Sequence, residues 1–206
     1  MKNIKITASN DKDNWFENYI YSEIDIGDKA EITRTLTLED IKAFAAVSGD
    51  TNPAHMDPVY SNDTIFHGII GHGMWGGALI STVLGTVFPG PGTIYLEQNL
   101  RFSRPVRIGD TLTVTVTCTS KNDEKQSLEL DCTLLNQKGE RVLSGVARVM
   151  APTKKLRIPK ISTACIWPSN TIYWAVILRE RPSNSPNCKR STRRMVLQTQ
   201  ISCRKV

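Results

Sequence analysis

The amino-acid sequence predicts an α+β fold in which an antiparallel sheet curls around one long helix. Residues 72–88 are apolar around nearly the whole circumference of a helix, and after residue 93 the apolar period changes from 3.6 to 2. Strands of period 2 have one dry face, which needs a cover. The 72–88 helix is the only long apolar candidate for that cover, which favours a helix wrapped by a sheet.

Three segments precede the long helix. Residues 30–37 alternate enough to form a strand, and residues 38–50 are predicted to form a short amphipathic helix that Gly49 ends. Residues 51–71 are rich in Pro, Gly, Asn and Asp and are predicted to be a loop. The apolar face of the short helix is predicted to comprise Leu38, Ile41, Phe44 and Ala45.

The 72–88 helix would be roughly 25 Å long. Because it is short and rich in glycine, the pattern favours a helix buried in the middle of the fold over one that spans a bilayer. Residues 89–92, Pro-Gly-Pro-Gly, end it. The strands predicted to follow are 93–102, 111–120, 127–136 and 141–150.

The charge is divided unevenly along the 206 residues. Residues 151–206 carry twelve Lys or Arg and one acid, a net charge of +11, whereas residues 1–150 carry −5. The predicted organisation is therefore one domain at 1–152 and an irregular or poorly ordered basic tail at 153–206. The tail composition is typical of a frameshifted reading frame; the rival interpretation is an arm that binds nucleic acid or anionic lipid. The tail shows no known nucleic-acid motif, so an incidental tail is favoured.

Several classes of protein are excluded. The chain has no run of eighteen apolar residues and no secretory signal at its start. Its five cysteines form no CxxC pair and it has only three histidines, so we expect no zinc site and no other metal or cofactor. Nothing requires an oxidising compartment, and the prediction is a cytoplasmic protein that does not enter a membrane.

One stretch suggests chemistry. Asp50 and His55 flank Pro53 on a predicted turn, and a carboxylate and an imidazole together can remove one proton and deliver another. Gly73 is predicted to open the long helix, where its N–H would be free and would let a substrate oxygen approach closely. By spacing alone, the commoner explanation of such a turn is structural, and both interpretations stay open.

A series of motifs carries a resemblance that spans about residues 25–150. It comprises DTNPAHMD at 50–57, HGM at 72–74, PG at 89–90 and FSRPVRIGDT at 102–111. In their order and intervals they resemble the MaoC-like (R)-specific enoyl-CoA hydratase family. The variant at 71–76 most resembles the hydratase portion of bifunctional enoyl-CoA hydratase/phosphate acetyltransferases. The tail has no transferase sequence, so no acetyltransferase activity is expected.

The resemblance implies a hot-dog fold and a homodimer, or higher homo-oligomer, that binds acyl-CoA near the subunit interface. It implies reversible hydration of trans-2-enoyl-CoA to (R)-3-hydroxyacyl-CoA. Asp50 and His55 would activate water, the Gly73 amide would polarise the thioester carbonyl, and Ser81 would contact the catalytic loop. The alternatives are a hot-dog acyl-CoA thioesterase and a non-catalytic acyl-CoA-binding module.

Three more residues are predicted to support the site. Asn52 is expected to order the turn through its amide, with contact to the reacting water as the alternative. His72 is expected to cap or pack the start of the helix rather than catalyse. Met74 is expected in the core or in the wall of an acyl pocket.

Overall fold

The computed structural model describes residues 2–6 and 15–160. It contains four α-helices, which are α1 Leu38–Ser48, α2 Pro53–Met56, α3 Pro58–Asn62 and α4 Gly73–Thr86. It contains eight strands, which are β1 Asn3–Ile6, β2 Trp15–Glu17, β3 Lys29–Thr35, β4 Ile94–Phe102, β5 Thr111–Asn122, β6 Ser127–Leu135, β7 Arg141–Met150 and β8 Arg157–Pro159. Of the basic tail predicted at 153–206, residues 161–206 lie outside the described residues, and β8 lies in the part that is described.

Six strands form one sheet in the order β1-β3-β5-β6-β7-β4. Every neighbouring pair is antiparallel except β1 and β3, which are parallel. The five strands predicted from the alternation, β3 to β7, all lie in this sheet. The three short strands β1, β2 and β8 were not predicted, because three or four residues are too few to show a period.

The dry face of the sheet forms the core with α4. The inward side chains of β5 and β6 are at most 1% exposed, as the alternation predicts, and they pack in one cluster with α4 residues such as Ile80 and Val83. The inward side chains are Leu112, Val114, Val116, Cys118, Leu128, Leu130, Cys132 and Leu134.

Burial makes the two core cysteines unreactive. Desolvation raises the pKa of Cys132 to about 12 and also raises the pKa of Cys118. A raised pKa leaves less thiolate at any given pH, and the thiolate is the form that alkylates. We therefore expect the peptide that contains Cys132 to stay unmodified by iodoacetamide at pH 8 in the native protein and to react fully in urea, as read by peptide mass spectrometry. Labelling of Cys132 at equal rates in both conditions would contradict the buried position.

Helix α4 is the predicted central helix, and within the single chain the sheet covers one side of it. Trp75, Gly76, Leu79, Ile80, Val83 and Leu84 face the sheet and are buried. The opposite side, which includes Met74, Ala78 and Ser81, is exposed. Small residues on that side leave the helix backbone close to the surface.

The segment predicted as a loop at 51–71 contains two short helices. Asn52 caps α2, since its side chain accepts a hydrogen bond from the N–H of Ala54 at 3.0 Å, and Pro53 takes the first helical position. Asp57 caps α3 in the same way, with Pro58 following. The prolines that suggested a loop are instead helix starters, because proline has no N–H to leave unpaired in the first turn.

No helix within the described ranges is both long and apolar enough to cross a membrane.

Candidate active site

Asp50 lies between two helices. Gly49 ends α1 in the left-handed conformation (φ 76°), and Asn52 begins α2. The short link is ordered internally, since the N–H of Asp50 donates to Ser48 Oγ at 3.2 Å and the N–H of Asn52 donates to Asp50 Oδ1 at 3.2 Å. The Asp50 side chain is 50% exposed, so its second oxygen remains open to solvent and substrate.

His55 is held in one tautomer. Its Nδ1 lies 2.8 Å from the carbonyl oxygen of Ile70. Because a carbonyl oxygen only accepts, Nδ1 carries a hydrogen, and in the neutral ring Nε2 then presents a lone pair. The side chain is 11% exposed, and Nε2 lies 4.0 Å from Asp50 Oδ2.

The gap between Asp50 and His55 suits one water molecule. At 4.0 Å the two atoms are too far apart for a direct hydrogen bond, but a water at ordinary hydrogen-bond distance reaches both. The predicted convergence of these two side chains is therefore present in the geometry.

His72 packs beneath this pair. Its Nε2 donates to the backbone carbonyl of Asp50 at 2.9 Å, and its ring centroid lies 4.0 Å from that of His55 and 5.0 Å from that of Phe44. The residue is 3% exposed, and its Nδ1 has no hydrogen-bond partner. Its side chain makes no capping hydrogen bond to α4, but it packs at the start of the helix, as the second of the two predicted roles has it.

Gly73 begins α4 and is exposed, with the positive end of the helix dipole at its N–H. The ring of Phe102 lies close by, and a Cβ at Gly73 would come within 3.2 Å of that ring. The space between Gly73 and this ring is therefore narrow. Phe102 begins the FSRPVRIGDT motif, but the sequence predicted no role for it at the site, because the placement of β4 beside the start of α4 is a tertiary contact.

The supporting residues are placed as follows. The amide of Asn52 orders the start of α2, as predicted. Met74 is 54% exposed and lies with Ser81 along an open groove of about 490 Å³ that Phe44 and Leu100 also line. The contact predicted between Ser81 and the catalytic loop stays a prediction.

Asp50, His55 and His72 form the one group in the described part of the chain with the geometry of a potential metal site. Each offers one ligand atom, and these atoms lie within 4.8 Å of one another. However, the Nε2 of His72 is already committed to the Asp50 carbonyl. The expectation of no metal stays a prediction.

Comparison with known proteins places the chain in a family. The model of the MaoC like domain matches residues 22–137, more than half of the 206 residues. The chain belongs to the MaoC-like family. Among curated relatives of this MaoC-like chain, an (R)-specific enoyl-CoA hydratase of Rhodospirillum rubrum is 44% identical over 138 residues, which are 66% of this chain and 94% of the relative. A 3-hydroxybutyryl-CoA dehydratase of Methylorubrum extorquens is 36% identical over 66% of this chain and 85% of its own length.

Solved structures confirm the hot-dog fold of this MaoC-like chain. The unliganded R-hydratase PhaJ1 from Pseudomonas aeruginosa superposes with a TM-score of 0.71 at 43% identity, covering 77% of this chain and 99% of its own. The (R)-hydratase of Aeromonas caviae, which is involved in PHA biosynthesis, gives a TM-score of 0.61 at 37% identity over 63% of this chain and 98% of its own.

Proposed function

We propose that the protein is a hydro-lyase that reversibly hydrates trans-2-enoyl-CoA to (R)-3-hydroxyacyl-CoA. The observation that carries this proposal is the separation of 4.0 Å between His55 Nε2 and Asp50 Oδ2, which one water can bridge by hydrogen bonds to both atoms, close to the amino end of α4. The names of the relatives support the same chemistry.

The thioester oxygen would accept a hydrogen bond from the Gly73 N–H. This donor lies where negative charge develops as the carbonyl takes on enolate character. The dipole of α4 adds to the effect, since its positive end points toward the same oxygen. The protein therefore stabilises the charge with fixed backbone groups.

The water would lie between Asp50 and His55. As its oxygen bonds to C3, one of its protons passes to the pair, and C2 takes one proton from the pair. The pair thus ends the cycle with the same number of protons. The lone pair of His55 Nε2, fixed by the Ile70 carbonyl, is already directed to receive a hydrogen bond from that water.

Incubation of the purified full chain with crotonyl-CoA tests the proposal. We expect loss of enoyl absorbance, and a product that an (R)-specific but not an (S)-specific 3-hydroxyacyl-CoA dehydrogenase oxidises. Release of free CoA thiol without a hydroxyacyl product would favour the thioesterase instead, and stable binding without turnover would favour an acyl-CoA-binding module.

The Gly73 amide gives a prediction of its own. In Gly73→Ala the added Cβ would lie 3.2 Å from the Phe102 ring and would crowd a thioester placed at the Gly73 N–H, so we expect kcat/KM for crotonyl-CoA to fall about 10²-fold. Alanine has a higher helix propensity than glycine, so we do not expect the thermal midpoint of unfolding to fall. Unchanged hydration by a folded Gly73→Ala protein would remove this amide from the mechanism.

A second copy of the chain is the proposed partner. Strand β4 is a sheet edge, and it exposes Ile94, Tyr95, Leu96 and Phe102 beside the exposed side of α4. An edge strand with apolar side chains favours pairing with another strand. We expect light scattering to give at least twice the 23.0 kDa chain mass, and a monomer at micromolar concentration would contradict the pairing.

The boundary between the domain at 1–152 and the basic tail stays a prediction, and so does the cytoplasmic location.

A further inference from the structure

We propose that His72 is a positioning residue for the hydration, holding Asp50 and His55 at the separation that admits one water. This inference rests on the proposed function. It assigns His72 a role in the rate rather than the packing role expected from the sequence.

The first observation is a hydrogen bond of His72 that joins two segments distant in the sequence. The Nε2–H of His72 donates to the Asp50 carbonyl at 2.9 Å across twenty-two positions of sequence. Within the described residues, the other recorded hydrogen bonds of Asp50 stay inside the segment 48–52. Because the Asp50 side chain is half exposed, packing alone does not fix it. His72 thus connects the Asp50 backbone to the start of α4 through this hydrogen bond.

The second observation is the ring contact. The His72 and His55 rings lie 4.0 Å apart at an interplanar angle of 35°, which limits how far the His55 ring can tilt. The Ile70 carbonyl fixes one edge of His55, and His72 supports its face. One side chain therefore restrains both members of the pair.

The third observation is an unpartnered atom. The Nδ1 of His72 is buried without a hydrogen-bond partner, and burial of an unpaired acceptor destabilises a fold. A phenylalanine would occupy a similar volume without that defect, but it has no donor for the Asp50 carbonyl. The histidine is thus explained by the hydrogen bond rather than by packing.

His72 also precedes Gly73 in the chain, and its own carbonyl accepts from the Trp75 N–H at 3.0 Å in the first turn of α4. The same residue thereby sets the distance between the reacting water and the amide proposed to hold the thioester. A shift of about 1 Å in such a geometry can lower a rate about 10²-fold.

Two variants separate the donor from the ring. His72→Phe keeps a ring and loses the donor, whereas His72→Gln keeps an N–H donor and loses the ring. We expect kcat for crotonyl-CoA to fall about 10²-fold in His72→Phe and about 10-fold in His72→Gln, with KM within about 3-fold in both. Binding of butyryl-CoA, measured by calorimetry, should stay within the same factor, since the pocket itself is unchanged.

The outcomes are distinct. If kcat per butyryl-CoA-binding site is unchanged in either folded variant while the thermal midpoint falls, His72 is structural and the proposal is overturned. If His72→Phe fails to fold, the glutamine variant decides: a wild-type kcat refutes the role, and a 10-fold loss at constant KM supports it. If the wild type itself does not hydrate any enoyl-CoA, the proposed function fails and this role fails with it.

Discussion

Asp50→Asn lowers kcat for crotonyl-CoA hydration about 10³-fold, and His55→Gln lowers it by a similar factor. General acid–base catalysis supplies about 10²- to 10⁴-fold, and neither replacement can exchange a proton at the required position. Asparagine keeps the shape of Asp50 and one oxygen that can accept from the Asn52 N–H, so the link between α1 and α2 stays intact. Initial rates at saturating substrate measure the effect.

The double variant should be hardly worse than either single variant. Asp50 and His55 act on one water, and residues that act as a unit give non-additive losses. Asp57→Asn is the matched control: its Oδ1 accepts from the N–H groups of Val59 and Tyr60, and asparagine caps a helix equally well. Wild-type rates in Asp50→Asn and His55→Gln, or a loss in Asp57→Asn of the same size, would refute the assignment.

Gly145→Ala is expected to destabilise the fold by about 3 kcal/mol, because overpacking against backbone cannot relax by a side-chain rotation. A Cβ at Gly145 in β7 would stand 1.9 Å from the carbonyl oxygen of Asn99 in the paired strand β4. The two strands would have to separate at the edge where the partner copy is proposed to bind. Urea unfolding measures the change in free energy.

Ser144→Ala is the control for this prediction, since it places the same side chain one position earlier in β7, where Ser144 is only half-buried. We expect its free energy of unfolding to stay within about 0.5 kcal/mol of the wild type. Equal urea midpoints for Ser144→Ala and Gly145→Ala would show that β4 and β7 do not pair in the register described.

The sheet and its covering helix could be predicted because burial of one face of a strand requires an apolar residue at every second position. Leu112, Val114 and Val116 alternate with threonines, and a shift of one residue would turn every apolar side chain of β5 outward. The carboxyl end of α1 could also be predicted, because Gly49 takes the left-handed conformation that glycine adopts without strain.

The features that were not predicted are of two kinds: the local caps that begin α2 and α3, and a contact between distant segments. Pro53 and Pro58 start helices only because Asn52 and Asp57 cap them, so a proline-rich stretch was interpreted as a loop. The carbonyl that fixes the His55 tautomer belongs to Ile70, which has no side-chain chemistry to mark it. Local patterns therefore located Asp50 and His55, but the groups that orient them follow only from the tertiary structure.

Asp50 stands in the short interval between the cap that closes α1 and the cap that opens α2. Nearby surface positions are strongly solvent-exposed, such as Val47 of α1 at 73% and Val59 of α3 at 74%. Substitutions there can accumulate while the geometry of proton transfer is preserved. The outer surface around the cleft is thus free to diverge, and a new binding partner or solubility property can be acquired without loss of turnover.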